Sequence, residues 1–239
     1  MSIRSRSLEY GLGDTGFAAH IAWDDEAAGP LPGVLVAHAW RGRSDFENAR
    51  AERIAGLGYV GFALDLYGKG VLGSSPEENQ ALMQPLLDDR AMLQQRMQLA
   101  LAQLRSLPEV DEERVAAIGY CFGGLCVLDL VRAGAEINGV ASFHGLLGAP
   151  GNTSGNRSNA RVLVLHGWDD PLAPPEQVLA LAQEMDSLGA DWQLHAYGGT
   201  LHAFSNPEAD DPQHGLQYSG AADLQSWRAL EHFLSDTLR

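Results

Sequence analysis

The stretch of this chain best suited to covalent chemistry is Gly119-Tyr120-Cys121-Phe122-Gly123-Gly124. A thiol stands between glycines two residues away on either side, where an apolar strand, Val115 to Ile118, gives way to an apolar helix. Glycines so placed permit a sharp strand-to-helix turn, a nucleophile elbow, which lifts the middle side chain clear of the sheet. An ordinary cysteine has a pKa of about 8.5, so only a few per cent is thiolate at neutral pH. The start of a helix favours the anion through its dipole and its unpaired N–H groups. An imidazole that takes the thiol proton, and a carboxylate that fixes the tautomer of that imidazole, would complete the site.

The elements that must position these groups alternate along the chain. Gly33 to His38 reads as a buried strand, followed by a helix over Asn48 to Leu57 and a strand over Tyr59 to Leu64 that ends at Asp65-Leu66-Tyr67-Gly68. One long helical region runs from Pro76 to about Leu104; then come the Val115 to Ile118 strand and the helix after Cys121, ending near Ala133. Gly139 to Phe143, Val162 to His166 and Trp192 to Tyr197 supply three more strands, with helices over Pro175 to Leu188 and Ala221 to Leu238. Near-continuous apolar strands separated by helices imply an α/β fold with a mostly parallel central sheet covered on both faces. No internal repeat or interdomain linker interrupts the pattern. The Gly/Ser/Asn-rich Gly148 to Ala160 reads as a surface loop, so residues 1–239 read as a single domain.

Reactive groups of an open parallel sheet gather at the carboxyl ends of its strands. After the Val162 to Leu165 strand comes His166-Gly167-Trp168-Asp169-Asp170-Pro171-Leu172-Ala173-Pro174, and after the Trp192 to Tyr197 strand comes Gly198-Gly199-Thr200-Leu201-His202-Ala203-Phe204. Nucleophile, acid and histidine thus follow one another in chain order, each at a strand end. Asp169 competes with Asp170, and either can cap the helix that follows; the spacing to Pro174 favours Asp170. His202 competes with His195, which lies within its strand, and with His214 farther on. An oxyanion formed at Cys121 needs backbone donors: Phe122, directly after the nucleophile, and Trp40, in the turn after the first buried strand. His38, His144 and His166 also fall near strand ends and read as structural hydrogen-bonding residues; no two share a short ligand-like spacing, so no metal is expected, and no cofactor. Tyr67 and Trp168 read as packing aromatics, and Cys126 as part of the core.

Composition limits the partners. The 239 residues are 45% hydrophobic, enough for a large core, and acidic residues outnumber basic ones 31 to 16, for a formal charge of −15. Such a surface repels nucleic acid and anionic membranes. Cys121 and Cys126, five apart on one helix, point in different directions and should not form a disulfide. The polar start, Met1 to Arg6, leads into no apolar signal, and no apolar run approaches the roughly 18 residues that span a bilayer. The expectation is a reduced, cytoplasmic, soluble protein, monomeric or a small homo-oligomer.

Four segments together resemble the dienelactone hydrolase family of α/β-hydrolases: Gly119-Tyr120-Cys121-Phe122-Gly123-Gly124, Asp65-Leu66-Tyr67-Gly68, Asp170 four residues before Pro174, and His202-Ala203-Phe204. The resemblance spans most of the chain, from about Gly33 to the last helix, and the Gly-Tyr-Cys-x-Gly-Gly form is its most specific part. It implies the α/β-hydrolase fold and a Cys121–His202–Asp170 triad acting on a small ester or lactone, the thiolate forming a thioester that water hydrolyses. Two positions depart from the family. Ala39 stands where characterised members have a glutamate that holds the resting thiol, and Asn206 stands where they have an arginine that grips a substrate carboxylate. Without that arginine such a substrate loses a strong bidentate contact, and Arg41, Arg43 and Arg90 are the residues available to replace it. A thioesterase or peptidase with the same triad is a second reading. A non-catalytic binding protein or thiol sensor is a third, disfavoured because it needs no general base and because Cys126 is poorly oriented to resolve an oxidised Cys121.

Overall fold

A computed structural model describes residues 2–153 and 155–239. Met1, at the polar start, and Ser154, in the Gly148 to Ala160 segment, lie outside the described residues.

The described residues form ten strands, β1 (Ile3–Leu12), β2 (Thr15–Asp24), β3 (Leu31–Ala37), β4 (Val60–Ala63), β5 (Val110–Tyr120), β6 (Gly139–Phe143), β7 (Arg161–Gly167), β8 (Asp191–Tyr197), β9 (Asp210–Asp211) and β10 (Leu216–Gln217). The helices are α1 (Asp45–Ala55), α2 (Pro76–Asp88), α3 (Arg90–Arg105), α4 (Phe122–Arg132), α5 (Pro175–Leu188) and α6 (Gly220–Thr237). Eight strands make one sheet in the order β1-β2-β4-β3-β5-β6-β7-β8. From β4 through β8 every pairing is parallel, while β1 pairs β2, and β2 pairs β4, antiparallel.

The apolar runs are long because the parallel strands are buried on both faces. Successive side chains of a strand alternate between the two cores. Leu35, Ala37, Val115 and Ala117 join Leu93, Met97 and Leu104 of α3, Leu125 and Leu128 of α4, and Leu181 and Met185 of α5. Val34, Val36, Ala116 and Ile118 join Ile54 of α1 and Trp227, Leu230 and Phe233 of α6.

The mostly parallel, two-faced sheet is the arrangement expected from the sequence, and three local features differ. The β1–β2 hairpin was not expected. β1 is an edge strand of alternating exposed and half-buried residues, so Arg4, Ser5, Arg6 and Ser7 hide its strand character. The long helical region is two helices, because Asp89 leaves helical geometry (φ −119°, ψ 81°), ending α2 and capping α3 by accepting from the Met92 N–H. α1 begins at Asp45 rather than Asn48, since Ser44 and Glu47 form a capping box.

A largely buried ionic cluster fastens one face of the sheet. Arg90, at the start of α3, holds Asp129 of α4 through two hydrogen bonds of 2.7 and 2.6 Å. Arg132 bonds Asp129 at 3.2 Å, Glu184 of α5 at 3.1 and 2.8 Å, and the carbonyls of Leu147 and Gly148. Asp129 and Arg132 are fully enclosed. Removing one partner of such a set strands the others without compensation. Asp129→Ala is therefore expected to lower unfolding stability by about 3–5 kcal/mol, read as a lower urea midpoint; a change within about half a kcal/mol, the range of ordinary surface substitutions, would show the cluster to be dispensable.

Candidate active site

The elbow is built by steric necessity. Cys121 has φ 55° and ψ −115°, a backbone region costly for any residue with a Cβ. Its N–H donates to the Phe143 carbonyl (3.0 Å), and its carbonyl accepts from the N–H groups of Gly124 (3.0 Å) and Leu146 (3.3 Å). These bonds lock the turn between β5 and α4. A Cβ on Gly119 would fall 2.0 Å from the Gly123 carbonyl oxygen, and one on Gly123 would fall 2.2 Å from that of Ala37. The glycines therefore let α4 start directly against β3 and β5. Cys121 stands half-buried at its N-terminus.

Asp170 follows β7 and is buried, whereas Asp169 is exposed. One Asp170 oxygen accepts from the Leu172 N–H (2.8 Å) and the other from Nδ1–H of His202 (2.7 Å). His202 is buried in the loop after β8, its N–H donating to the Gly215 carbonyl and its carbonyl accepting from Gln217. The same loop is tied to α1, where Arg50 donates to the Ser205 carbonyl at 2.8 Å. His202 Nε2 has no hydrogen-bond partner among the described residues. The Cys121 sulfur nevertheless lies near enough to act on its proton. Burial draws the His202 pKa down, but the charge of the Cys121 sulfur and the hydrogen bond to Asp170 outweigh it and carry the pKa up to about 10.

The neighbouring histidines behave oppositely. His144 stacks edge-on 5.1 Å from His202 and pairs through Nε2 with the Ser205 hydroxyl (2.8 Å); burial, then the charge of His202, holds its pKa well below the ordinary value. Burial also lowers His166, against the attraction of Asp170. His195 lies exposed on β8, and exposed His214 pairs with Asp211. Of the candidate histidines, only His202 meets both a buried carboxylate and the elbow cysteine.

Trp40 and Phe122 flank this pair on the β3 and α4 sides. Neither of their backbone N–H groups donates to an acceptor among the described residues. The Trp40 carbonyl accepts from the Tyr67 hydroxyl (2.8 Å), whose ring lies against Phe122. Cys126 is packed in the core, and burial pushes its thiol pKa well up. Asn206 closes a turn by accepting from the Glu208 N–H. Of the arginines offered as substitutes for the missing clamp, Arg90 is bound to Asp129, and Arg43 to the Ala18 carbonyl and Asn48. Arg41 is exposed and spends its Nε on the Gly73 carbonyl. One functional neighbour was missed in the sequence: Glu47, buried, accepts from the N–H groups of Ala39 (3.2 Å) and Ser44 (2.8 Å) and so braces the Trp40 turn. Its signal was present as the Ser44-x-x-Glu47 capping box.

Against known families, the model of the dienelactone hydrolase family matches residues 17–238. The chain belongs to that family. A solved dienelactone hydrolase-like promiscuous phosphotriesterase from metagenomic libraries is 35% identical over the whole of both chains, with a TM-score of 0.92. An uncharacterised Caenorhabditis elegans protein is 34% identical over 155 residues, 62% of this chain and 96% of its own length. A Synechocystis protein named as a candidate carboxymethylenebutenolidase is 24% identical over 232 residues, 89% of each chain. The fold is the α/β-hydrolase fold and the protein is a dienelactone hydrolase-like hydrolase. No helix among the described residues is long and apolar enough to cross a membrane.

The family site carries a testable electrostatic signature. A histidine whose folded pKa is raised from 6.5 to about 10 binds its proton more tightly folded than unfolded. Its contribution to stability is complete below about 6.5 and is lost as pH rises toward 10. Cys121→Ala removes the foremost influence raising that pKa. The decline in urea midpoint between pH 6.5 and 10 is therefore expected to be shallower in Cys121→Ala than in the parent; parallel declines would show that the two side chains are not coupled.

Proposed function

We propose that this family member hydrolyses small, uncharged carboxylic esters and lactones through Cys121 as nucleophile, His202 as acid and base, and Asp170 as the group that orients it. The observation that carries the reading is the buried Asp170–His202 pair, 2.7 Å long, whose Nε2 is left without a partner among the described residues and whose proton is held by the charge of the Cys121 sulfur.

In this mechanism His202 holds the thiol proton and the Cys121 thiolate attacks the carbonyl carbon, its π electrons moving to oxygen. The N–H groups of Phe122 and Trp40 receive that oxyanion, and the positive end of α4 adds to the stabilisation. Collapse breaks the ester C–O bond, and the departing alkoxide takes the proton from His202 Nε2. Water then gives a proton to the same nitrogen as it attacks the thioester carbonyl, and the thiolate leaves. Asp170 keeps Nδ1–H in place throughout, so that Nε2 is always the exchanging nitrogen.

Uncharged substrates are favoured because Asn206 offers no cation and because Arg43 and Arg90 are committed elsewhere. A second activity has a specific support. The relative at 35% identity is a promiscuous phosphotriesterase, and a phosphotriester is also an uncharged electrophile with a good leaving group. The same thiolate would attack phosphorus, expel the leaving group and await water. A thioester is open to the same steps; a pure thiol sensor would leave the Asp170–His202 pair without a task.

Turnover of p-nitrophenyl acetate tests the reading. Wild type is expected to release p-nitrophenol and to show one acetyl group on Cys121 by mass spectrometry after an acid quench. Cys121→Ala and His202→Ala should fall to background with unchanged circular dichroism. Full activity in Cys121→Ala would remove the nucleophile assignment. Between a lactone bearing a free carboxylate and its methyl ester, the ester should have the higher kcat/KM; the reverse order would require a cationic clamp.

A further inference from the structure

The turn after β3 leaves the Trp40 N–H without an acceptor and anchors the Ala39 N–H, the Ala39 carbonyl and the Trp40 carbonyl beside it. The Ala39 N–H donates to Glu47 Oε1 at 3.2 Å. The Ala39 carbonyl accepts from His38 Nδ1 at 2.7 Å and from the Gly42 N–H at 3.2 Å. The Trp40 carbonyl accepts from the Tyr67 hydroxyl at 2.8 Å. Between these anchors the Trp40 N–H has no acceptor among the described residues.

The two partners of His38 dictate its tautomer. A carbonyl only accepts, so Nδ1 must carry the hydrogen that reaches Ala39. A backbone N–H only donates, so Nε2 must be the bare nitrogen that receives the Leu66 N–H at 3.1 Å. The ring is fully buried, edge-on to Tyr67 at 4.7 Å between centroids. His38 is therefore a neutral strut between the ends of β3 and β4, and its shorter bond falls on the Ala39 carbonyl.

The Ala39 carbonyl and the Trp40 N–H belong to one planar peptide unit and point in opposite directions. Whatever holds the carbonyl also aims the N–H. Rotation of that unit would put a carbonyl oxygen where the N–H now points and withdraw the donor. We propose that His38 is a positioning residue that presets the oxyanion site: by bonding the Ala39 carbonyl it keeps the Trp40 N–H aimed at the oxygen of the reacting carbonyl. The proposal rests on the ester-hydrolase reading above.

Two reactions of Cys121 separate this role from a general structural one. Alkylation by iodoacetamide forms an S–C bond as iodide leaves, and no oxyanion develops. Acylation by p-nitrophenyl acetate forms the thioester and expels p-nitrophenolate through an oxyanion. His38→Phe keeps an aromatic ring against Tyr67 and deletes the donor. It is expected to slow acylation at least tenfold, and by no more than the roughly 10² to 10³ that loss of a whole oxyanion donor costs, while alkylation stays within about twofold, far less than loss of a donor would cost. His38→Asn restores a donor near the Nδ1 position and should recover acylation to within about tenfold of wild type, short of the loss of a donor.

Slower acylation by less than tenfold in His38→Phe overturns the proposal and leaves the ester-hydrolase reading standing. Equal loss in both reactions also overturns it, placing the effect on the thiolate or the fold. A wild-type protein that is alkylated but never acylated overturns the ester-hydrolase reading, and this inference with it. Should His38→Phe not fold, His38→Asn decides: a hundredfold loss of acylation with alkylation intact contradicts the assigned role.

Discussion

Three backbones meet at the elbow with no room for a side chain between them, and the site follows from that contact. The carbonyl oxygen of Gly123 approaches Gly119, and that of Ala37 approaches Gly123, at distances no Cβ tolerates. This approach presses the first turn of α4 onto the ends of β3 and β5. The residue at the junction takes a positive φ, which at Cys121 is held by bonds to Phe143, Gly124 and Leu146. The strain is local, and the surrounding ladder over-determines it. The same closeness sets the end of β3, at the Ala37 and His38 carbonyls, against the first turn of α4.

Electrostatics then divides the work among several buried imidazoles. His38 has both nitrogens occupied by backbone groups. Burial dominates His144 and His166, holding both on the neutral side. His202 differs because a buried carboxylate and a sulfur that can carry negative charge reach it together. Burial opposes the proton on all of these rings; only at His202 do the neighbours outweigh it. A protonated His202 in turn makes protonation of His144 harder.

The parallel core was legible because its strands are covered on both faces, which writes continuous apolar runs such as Val34 to Ala37 and Val162 to Leu165. The elbow was legible because its glycines answer a steric demand that few other residues can meet. The β1–β2 hairpin was not, since an edge strand needs only half its side chains buried, and Ser and Arg fill the remainder. The break at Asp89 was hidden inside a helical composition, where one capping carboxylate decides the geometry. Glu47 was hidden for a different reason. A buried acid normally signals chemistry, yet this one is consumed by the N–H groups of Ala39 and Ser44 and by the Ser44 hydroxyl.

The way the chain uses its arginines bears on the proposal that its substrate carries no carboxylate. A guanidinium placed in a cleft is free to grip a carboxylate only if the protein has not already neutralised it. Here Arg90 and Arg132 are enclosed with Asp129 and Glu184, Arg50 is shared between Ser205 and Asp223, and Arg43 bridges β2 and α1. Each contributes to fastening an element that carries part of the site. Freeing one for substrate would leave a buried carboxylate or carbonyl without a partner, at a cost larger than a surface contact repays. Asn206 likewise serves its own turn. The framework thus commits Arg43, Arg50, Arg90 and Arg132 to holding elements together, which supports the proposed preference for uncharged electrophiles.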